Sequence, residues 1–217
     1  MGWTSFDVVA KVRGILRKEV GKIKVGHTGT LDPLATGLLV LLVGSATKRA
    51  PELTKLDKTY EVIIRLGQTS TTGDEEGQKT EVSDKIPSNA EIQVALKQFI
   101  GQIEQTPPRY SAIKINGKRA YQLARAGQEV KLEPRQVTIY ELKDTRYAYP
   151  AISFTVTVSS GTYIRSLAED IGKNLGTGAY MTALRRVSVG GFTIRYAMPV
   201  DALDSVAIQT NLLEAVH

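Results

Sequence analysis

The sequence predicts an α+β fold with a mixed, mainly antiparallel central sheet flanked by helices. Strand-like alternation and helical periodicity follow one another irregularly, with few stretches suited to parallel crossovers. Asn116-Gly117, between two short extended runs, is a strong hairpin signal. Two further runs rich in Val, Ile, Thr and Tyr, 136–144 and 151–158, follow each other directly as strands.

Taken in order, Thr4 or Ser5 can cap a first helix, and Asp7 completes a capping box with Thr4. Phe6, Val8, Val9, Val12, Ile15 and Leu16 recur at helical spacing, leaving Lys11, Arg13, Arg17 and Lys18 as a basic face; Gly21 ends the helix. After a loop over 26–37, six apolar residues at 38–43 read as a strand buried on both faces. Ser45 is placed to cap a short helix over 46–54. Residues 58–66 alternate as a strand with Tyr60, Val62 and Ile64 on one face. Residues 67–77 form a polar surface loop from which Asp74 can still point inward, and its acids lack the spacing of a calcium loop. Ser88 and Glu91 make a second capping box, followed by Ile92, Leu96, Phe99 and Ile100 as a core stripe and Gly101 as the stop.

Prolines hold 105–112 extended, and a short helix over 121–126 ends at Gly127. After the two strand runs, residues 159–162 open a helix with Ile164, Leu167, Ala168, Ile171 and Leu175 as its buried stripe. Residues 187–195 alternate like a strand broken at Gly190-Gly191, and a last helix covers 199–213. No repeat, low-complexity tract or linker interrupts the chain, so one domain over 1–217 is expected.

Composition removes several function classes. The 217 residues contain no cysteine, which excludes disulfides, thiol nucleophiles and cysteine-ligated metal sites. His27 and His217 are the only imidazoles, so a histidine-rich metal centre is excluded too. No apolar run approaches the roughly 20 residues of a membrane helix, and the N-terminus lacks a signal pattern, so a cytoplasmic protein is expected. The net charge of +6 is uneven. Residues 1–50 carry eight Lys/Arg against three Asp/Glu, 51–100 six against nine, and 101–150 nine against five. Two basic blocks around an acidic one suit a polyanionic partner. Arg109, Tyr110, Lys114, Lys118, Arg119, Tyr121 and Arg125 interleave bases with aromatics, which suits phosphate contacts and base stacking.

The stretch with most chemistry in it is Gly26-His27-Thr28-Gly29-Thr30-Leu31-Asp32-Pro33-Leu34-Ala35-Thr36-Gly37. Pro33 disfavours helical backbone at Asp32, so this carboxylate is expected on a stiffened, extended loop beside the core. The same pattern also fits a turn whose Asp caps a backbone amide. Arg165 falls in the first turn of its helix, where the dipole disfavours a cation, so a nearby carboxylate is expected to hold it there.

Taken together, these stretches resemble the TruB-type tRNA pseudouridine synthases over nearly the whole chain. The resemblance rests on residues 26–37, Ala46-Thr47-Lys48, Lys58-Thr59-Tyr60, Arg65-Leu66-Gly67, Pro107-Pro108-Arg109-Tyr110-Ser111-Ala112-Ile113-Lys114, Gly161-Thr162-Tyr163-Ile164-Arg165-Ser166-Leu167 and Leu184-Arg185-Arg186, all in the family's order. It implies isomerisation of uridine 55 in the tRNA T-arm by a flipped-base mechanism, with no cofactor and no metal, by a monomer. It implies Asp32 as the catalytic carboxylate, with attack at C1′, addition at C6 and removal of a ribose proton all open. It also implies Arg165 as the partner of Asp32, Tyr60 as the aromatic that stacks on the target base and exchanges a proton, and His27 as a residue holding the loop open around that base. Tyr163 and Leu184 would wall the pocket, and Asp74 would approach the uracil. Lys48, Arg109, Lys114 and Arg119 are candidate phosphate contacts.

Two departures from the pattern are expected to matter. The family begins with a core strand ending in Lys-Pro-x-Gly, of which this chain has only the glycine, and most members carry a small C-terminal PUA-type RNA-binding domain that this chain is expected to lack. Weaker tRNA binding than in longer relatives is the expectation. Ser70-Thr71-Thr72 stands where the family commonly has Thr-Asp-Thr. The competing reading is a non-catalytic tRNA-binding or folding protein on the same scaffold. A phosphate-binding NTPase is excluded because Gly26 leads into His27-Thr28 rather than Gly-Lys-Ser/Thr. A glycosidase would want a second acid flanking its bond.

Overall fold

The computed structural model describes residues 2–111, 113–115, 117–128, 130 and 132–212, with backbone alone at Lys114 and Arg125. It is α+β, and its main sheet is largely antiparallel. The chain forms two compact units: one from the described residues of 1–58 and 185–217, the other from 59–184.

In the first unit, helix α1 (Ser5–Val20) has the expected capping box: Asp7 N–H donates to Thr4 Oγ1, and the Asp7 carboxylate takes the Thr4 N–H. Gly21 closes it. Val12 and Leu16 pack with Ile208, and Ile15, Ile23, Val25, Leu41, Val43 and Leu203 surround them as the unit's apolar centre. Strand β1 (Val25–His27) is followed by β2 (Thr36–Gly37) and β3 (Leu41–Val43), and β3 pairs antiparallel with β1. The six apolar residues at 38–43 are therefore not one doubly buried strand. Leu38 leaves the ladder, its N–H going to the Arg186 carbonyl at 2.8 Å, and only Leu38 and Leu42 of the six are buried. Ser45 caps nothing: residues 44–49 wind as a 3-10 turn entered from Val43, and α2 is only Ala50–Leu53.

In the second unit, β4 (Lys58–Leu66, entering from the first unit) buries Val62, Ile64 and Leu66 on one face. The polar loop hides a short hairpin, β5 (Gln68–Ser70) against β6 (Lys79–Glu81). Helix α3 (Asn89–Lys97) starts at the Ser88–Glu91 capping box, and Ile92 and Leu96 are buried. It stops earlier than expected, so Ile100 is 46% exposed. Gly101 opens an edge strand, β7 (Gly101–Gln105).

The hairpin β8 (Lys114–Ile115) and β9 (Lys118–Arg119) pairs Lys114 with Arg119 and Ile115 with Lys118, the register a two-residue turn requires; Asn116 itself lies outside the described residues. Helix α4 (Ala120–Arg125) follows. The long strands β10 (Arg135–Ala148) and β11 (Ala151–Val158) pair antiparallel, and β11 alternates cleanly, burying Ile152, Phe154, Val156 and Val158. Helix α5 (Ile164–Leu175) buries the expected stripe, although Tyr163 rather than Ser159 or Thr162 is its N-cap residue. Strand β12 (Ala179–Val189) starts eight residues before the expected 187. The sheet order in this unit is β12-β4-β11-β10-β7.

Residues 185–189 of β12 belong to the first unit. There β13 (Phe192–Thr193) pairs with the end of β12, and β2 pairs in parallel at Thr36↔Arg185 and Gly37↔Arg186. The last helix is shorter than 199–213. A 3-10 turn at Val200–Ala202 precedes α6 (Ser205–Thr210), which Asp204 caps by accepting the Ala207 N–H. Leu213 lies outside the described residues.

Candidate active site

The candidate residues fall in both units, and each group has its own geometry. In the first unit, the loop that carries Asp32 is fastened along its length. Its base is the β1–β3 pairing at His27↔Leu41, extended by Thr28 N–H to the Val40 carbonyl at 3.1 Å. Gly29 N–H donates to Nδ1 of His27 at 3.2 Å, and Leu31 N–H to the buried Ser5 hydroxyl at 2.9 Å. Asp32-Pro33-Leu34-Ala35 is a turn closed by Ala35 N–H on the Asp32 carbonyl at 2.9 Å, with Pro33 at its second position, where a fixed φ is preferred. Asp32 is half-buried. Lys48 is exposed nearby in sequence, on the 3-10 turn.

The end of the loop meets β12 without clearance. Gly37 has φ 101°, and a Cβ there would stand 2.2 Å from the Arg186 carbonyl oxygen and 2.8 Å from its nitrogen. Gly37→Ala is expected to separate the two backbones and to cost about 1–3 kcal/mol or more of unfolding free energy, measured by urea denaturation. An unchanged midpoint would mean that the close approach is absent.

His27 is held neutral. Burial, and then the nearby Arg186 charge, lower its pKa from the ordinary value of 6.5. The Gly29 bond also needs an unprotonated Nδ1. Below about pH 6.5 the unfolded chain therefore binds more protons than the folded one at this residue. The stabilisation is complete above pH 6.5 and is lost as pH falls from there toward the lowered folded value. The expected result is an imidazole that titrates below 6.5 by NMR, and a His27→Asn variant whose stability falls less than the parent's over that window.

In the second unit, Arg165 and Asp74 are both buried, at 5% and 4% exposure, with Arg165 Nη1 3.6 Å from Asp74 Oδ2. Arg165 also donates to the Thr72 carbonyl at 3.2 Å and the Tyr110 carbonyl at 3.0 Å. The awkward first-turn position on α5 thus has its carboxylate, Asp74, and two carbonyls besides. Asp74 is fixed in turn by the Thr72 hydroxyl at 2.5 Å and the Glu76 N–H at 3.1 Å, while Gly73 accepts the Met181 N–H. Thr72 supplies this link although the preceding residues depart from the usual family pattern. Gly73 packs so closely on α5 that a Cβ there would stand 2.6 Å from Oε1 of Glu169.

Tyr163 is half-buried and locked by a reciprocal pair, its N–H on Gln105 Oε1 at 2.8 Å and its carbonyl on Gln105 Nε2 at 3.1 Å. Tyr60 is half-buried near the start of β4, and Leu184 is buried on β12. Arg109 and Arg119 are exposed, whereas the Lys114 side chain lies outside the described residues.

Sequence reasoning gave no role to three buried polar residues. Arg186, 1% exposed, donates from Nε to the Leu38 carbonyl at 2.8 Å and from Nη2 to the Gly29 carbonyl at 3.1 Å. Lys58 turns its ammonium onto the carbonyls of Thr54 and Leu56, two residues before Tyr60, and burial lowers its pKa. Gln105 holds Tyr163. Parity offered one signal, because Arg186 shares its strand face with Leu184.

Among the described residues, no group of three or more His, Cys, Asp or Glu is arranged to hold a metal ion, and no helix is long and apolar enough to cross a membrane. A carboxylate on a fastened loop is a group suited to proton transfer or nucleophilic attack, and a buried arginine is a fixed positive charge that can orient such a carboxylate.

Comparison with known proteins assigns the family. Residues 16–164 match the model of the TruB family pseudouridylate synthase N-terminal domain, and residues 165–216 match the tRNA pseudouridylate synthase B C-terminal domain. The chain belongs to the TruB family of pseudouridylate synthases. It is 48% identical over 205 residues to the tRNA pseudouridine synthase B of Burkholderia mallei (strain NCTC 10247), covering 94% of this chain and 67% of that one. It is 45% identical over 225 residues to the protein of the same name from Thermobifida fusca, covering 99% and 75%. Among solved structures it is similar to a chain of a Cbf5-Nop10-Gar1 complex, with TM-score 0.65, 33% identity and 88% of this chain covered. It is also similar to a chain of an H/ACA RNP bound to a substrate RNA containing 2′-deoxyuridine, with TM-score 0.69, 27% identity and 98% covered. It spans about two thirds of the length of the Burkholderia relative and about half of the two solved chains, 47% and 53%.

Proposed function

We propose that this chain isomerises uridine 55 in the T-arm of tRNA to pseudouridine, acting as a monomer with Asp32 as its catalytic carboxylate. Pseudouridylation of tRNA is the activity named for its relatives, and one similar fold was solved on a substrate RNA containing a deoxyuridine. The observation that carries the reading is the loop. Hydrogen bonds at residues 28, 29, 31, 35 and 38 and the Pro33 turn fix the backbone around a half-buried carboxylate. Such pre-organisation keeps a catalytic group in place without ordering cost at the moment of reaction.

The reaction breaks the C1′–N1 bond, turns the uracil, joins C5 to C1′ and releases the C5 hydrogen as a proton, while N1 takes up a proton, so the product is an isomer of the substrate. Attack at C1′, addition at C6 and removal of a ribose proton all need Asp32 ionised. In this reading Arg165 keeps it so by charge-assisted bonding, and Arg165 is itself aimed by Asp74, Thr72 and Tyr110. Tyr60 stacks on the flipped uracil and exchanges a proton, while His27 holds the loop open around it. Tyr163, locked by Gln105, and Leu184 wall the pocket, and Asp74 approaches the uracil. Lys48, Arg109, Lys114 and Arg119 contact phosphates.

The test is to incubate the protein with a T-arm stem-loop and with unmodified full-length tRNA, and to map pseudouridine at nucleotide resolution. Product at position 55 is expected. Tight binding of both RNAs without product would favour the non-catalytic tRNA-binding reading instead.

A further inference from the structure

Arg186 is the most deeply buried cation described, and its guanidinium is spent on main-chain carbonyls. Nε takes the carbonyl of Leu38 and Nη2 that of Gly29, the two ends of the stretch that carries Asp32. Its own carbonyl receives the Leu38 N–H, and its backbone pairs in parallel with Gly37 at van der Waals limit. One residue therefore closes the loop through side chain and backbone together. A planar fork with donors on one edge can reach two carbonyls at once, which a lysine point charge cannot do with the same geometry. A buried cation is costly, and its presence beside a second one, Lys58, in the same unit is hard to account for as packing alone.

We infer that Arg186 is a positioning residue for the reaction, a clamp that joins Gly29 to Leu38 and so sets where Asp32 is held. The inference rests on the proposed role of Asp32. Arg186 touches no reacting atom; it acts through the loop.

The test compares the parent, Asp32→Asn and Arg186→Lys on T-arm RNA under single-turnover conditions, with RNA affinity and amide hydrogen exchange measured on each. For Arg186→Lys the expected result is a fall in the single-turnover rate constant on the order of 100-fold, the scale of a misplacement of about 1 Å. RNA affinity should stay within about threefold, a split a merely structural role would not give. Exchange should quicken at the amides of residues 28–38 and stay unchanged in α3 and α5. An Arg186→Lys protein that folds and reacts within about threefold of the parent, while Asp32→Asn is inactive, overturns the clamp and leaves the function standing. Full activity in Asp32→Asn overturns the functional reading itself. Should Arg186→Lys fail to fold, the parent decides. The clamp requires its Arg186 Nε–H to exchange about 100-fold or more slower than that of free arginine, and exchange at the free rate overturns it.

Discussion

Asp32→Asn is expected to fold, to bind tRNA, and to lose isomerase activity by on the order of 10³-fold or more. The turn that displays the side chain is closed by the Asp32 backbone carbonyl, which the substitution retains, and Asn is nearly isosteric with Asp. The variant removes the negative charge that attack at C1′, addition at C6 and proton abstraction all require. Single-turnover assays with saturating enzyme would read the chemical step directly, and a melting temperature close to the parent's would show that the loss is chemical. A variant that keeps a tenth of the parent rate would remove Asp32 from the chemistry.

The second large effect is on stability. Arg165→Met is expected to cost about 3–5 kcal/mol, the range for breaking a buried ion pair from one side. It leaves the 4%-exposed Asp74 with only the Thr72 hydroxyl and the Glu76 N–H among its described partners, and it releases the carbonyls of Thr72 and Tyr110. This one side chain ties the segments around both 72 and 110 to α5. Adding Asp74→Asn should recover a substantial part of the loss, because an amide needs no counter-charge. Urea denaturation of the parent, both single variants and the double variant measures that coupling. Losses that simply add would mean the 3.6 Å contact carries no energy.

What was legible in the sequence was local. The capping boxes at Thr4–Asp7 and Ser88–Glu91, the stop at Gly21, the buried stripe of α5 and the alternation of β11 each need only a few neighbouring residues, and all are present. The Asp32-Pro33 turn was legible for the same reason. The edge strand β7 was not, because Gly-Gln-Ile-Glu-Gln has a single large apolar residue, Ile103, and its one buried position is the polar Gln105. The run at 38–43 misled because apolar content says nothing of backbone partners, and Leu38 finds its partner on Arg186, far along the chain. Ser45 and the 199–213 helix failed where short 3-10 turns and the Asp204 cap reset the chain. At the site, the oddity of Arg165 signalled a carboxylate, and Asp74 supplies one. Arg186 was missed because a pattern argument turns arginines outward, while here the guanidinium takes the place of a strand partner.

The most direct test of the central claim follows the hydrogen that the reaction must expel. Joining C5 of uracil to C1′ displaces the hydrogen on C5, so a T-arm RNA tritiated at C5 of uridine 55 alone should release its label to water. The expected result is release that runs to completion with the parent protein, tracks pseudouridine formation mole for mole, and is absent with Asp32→Asn. Label retained by the parent under conditions where it binds the RNA would contradict the assignment of this loop as a uridine-isomerising site.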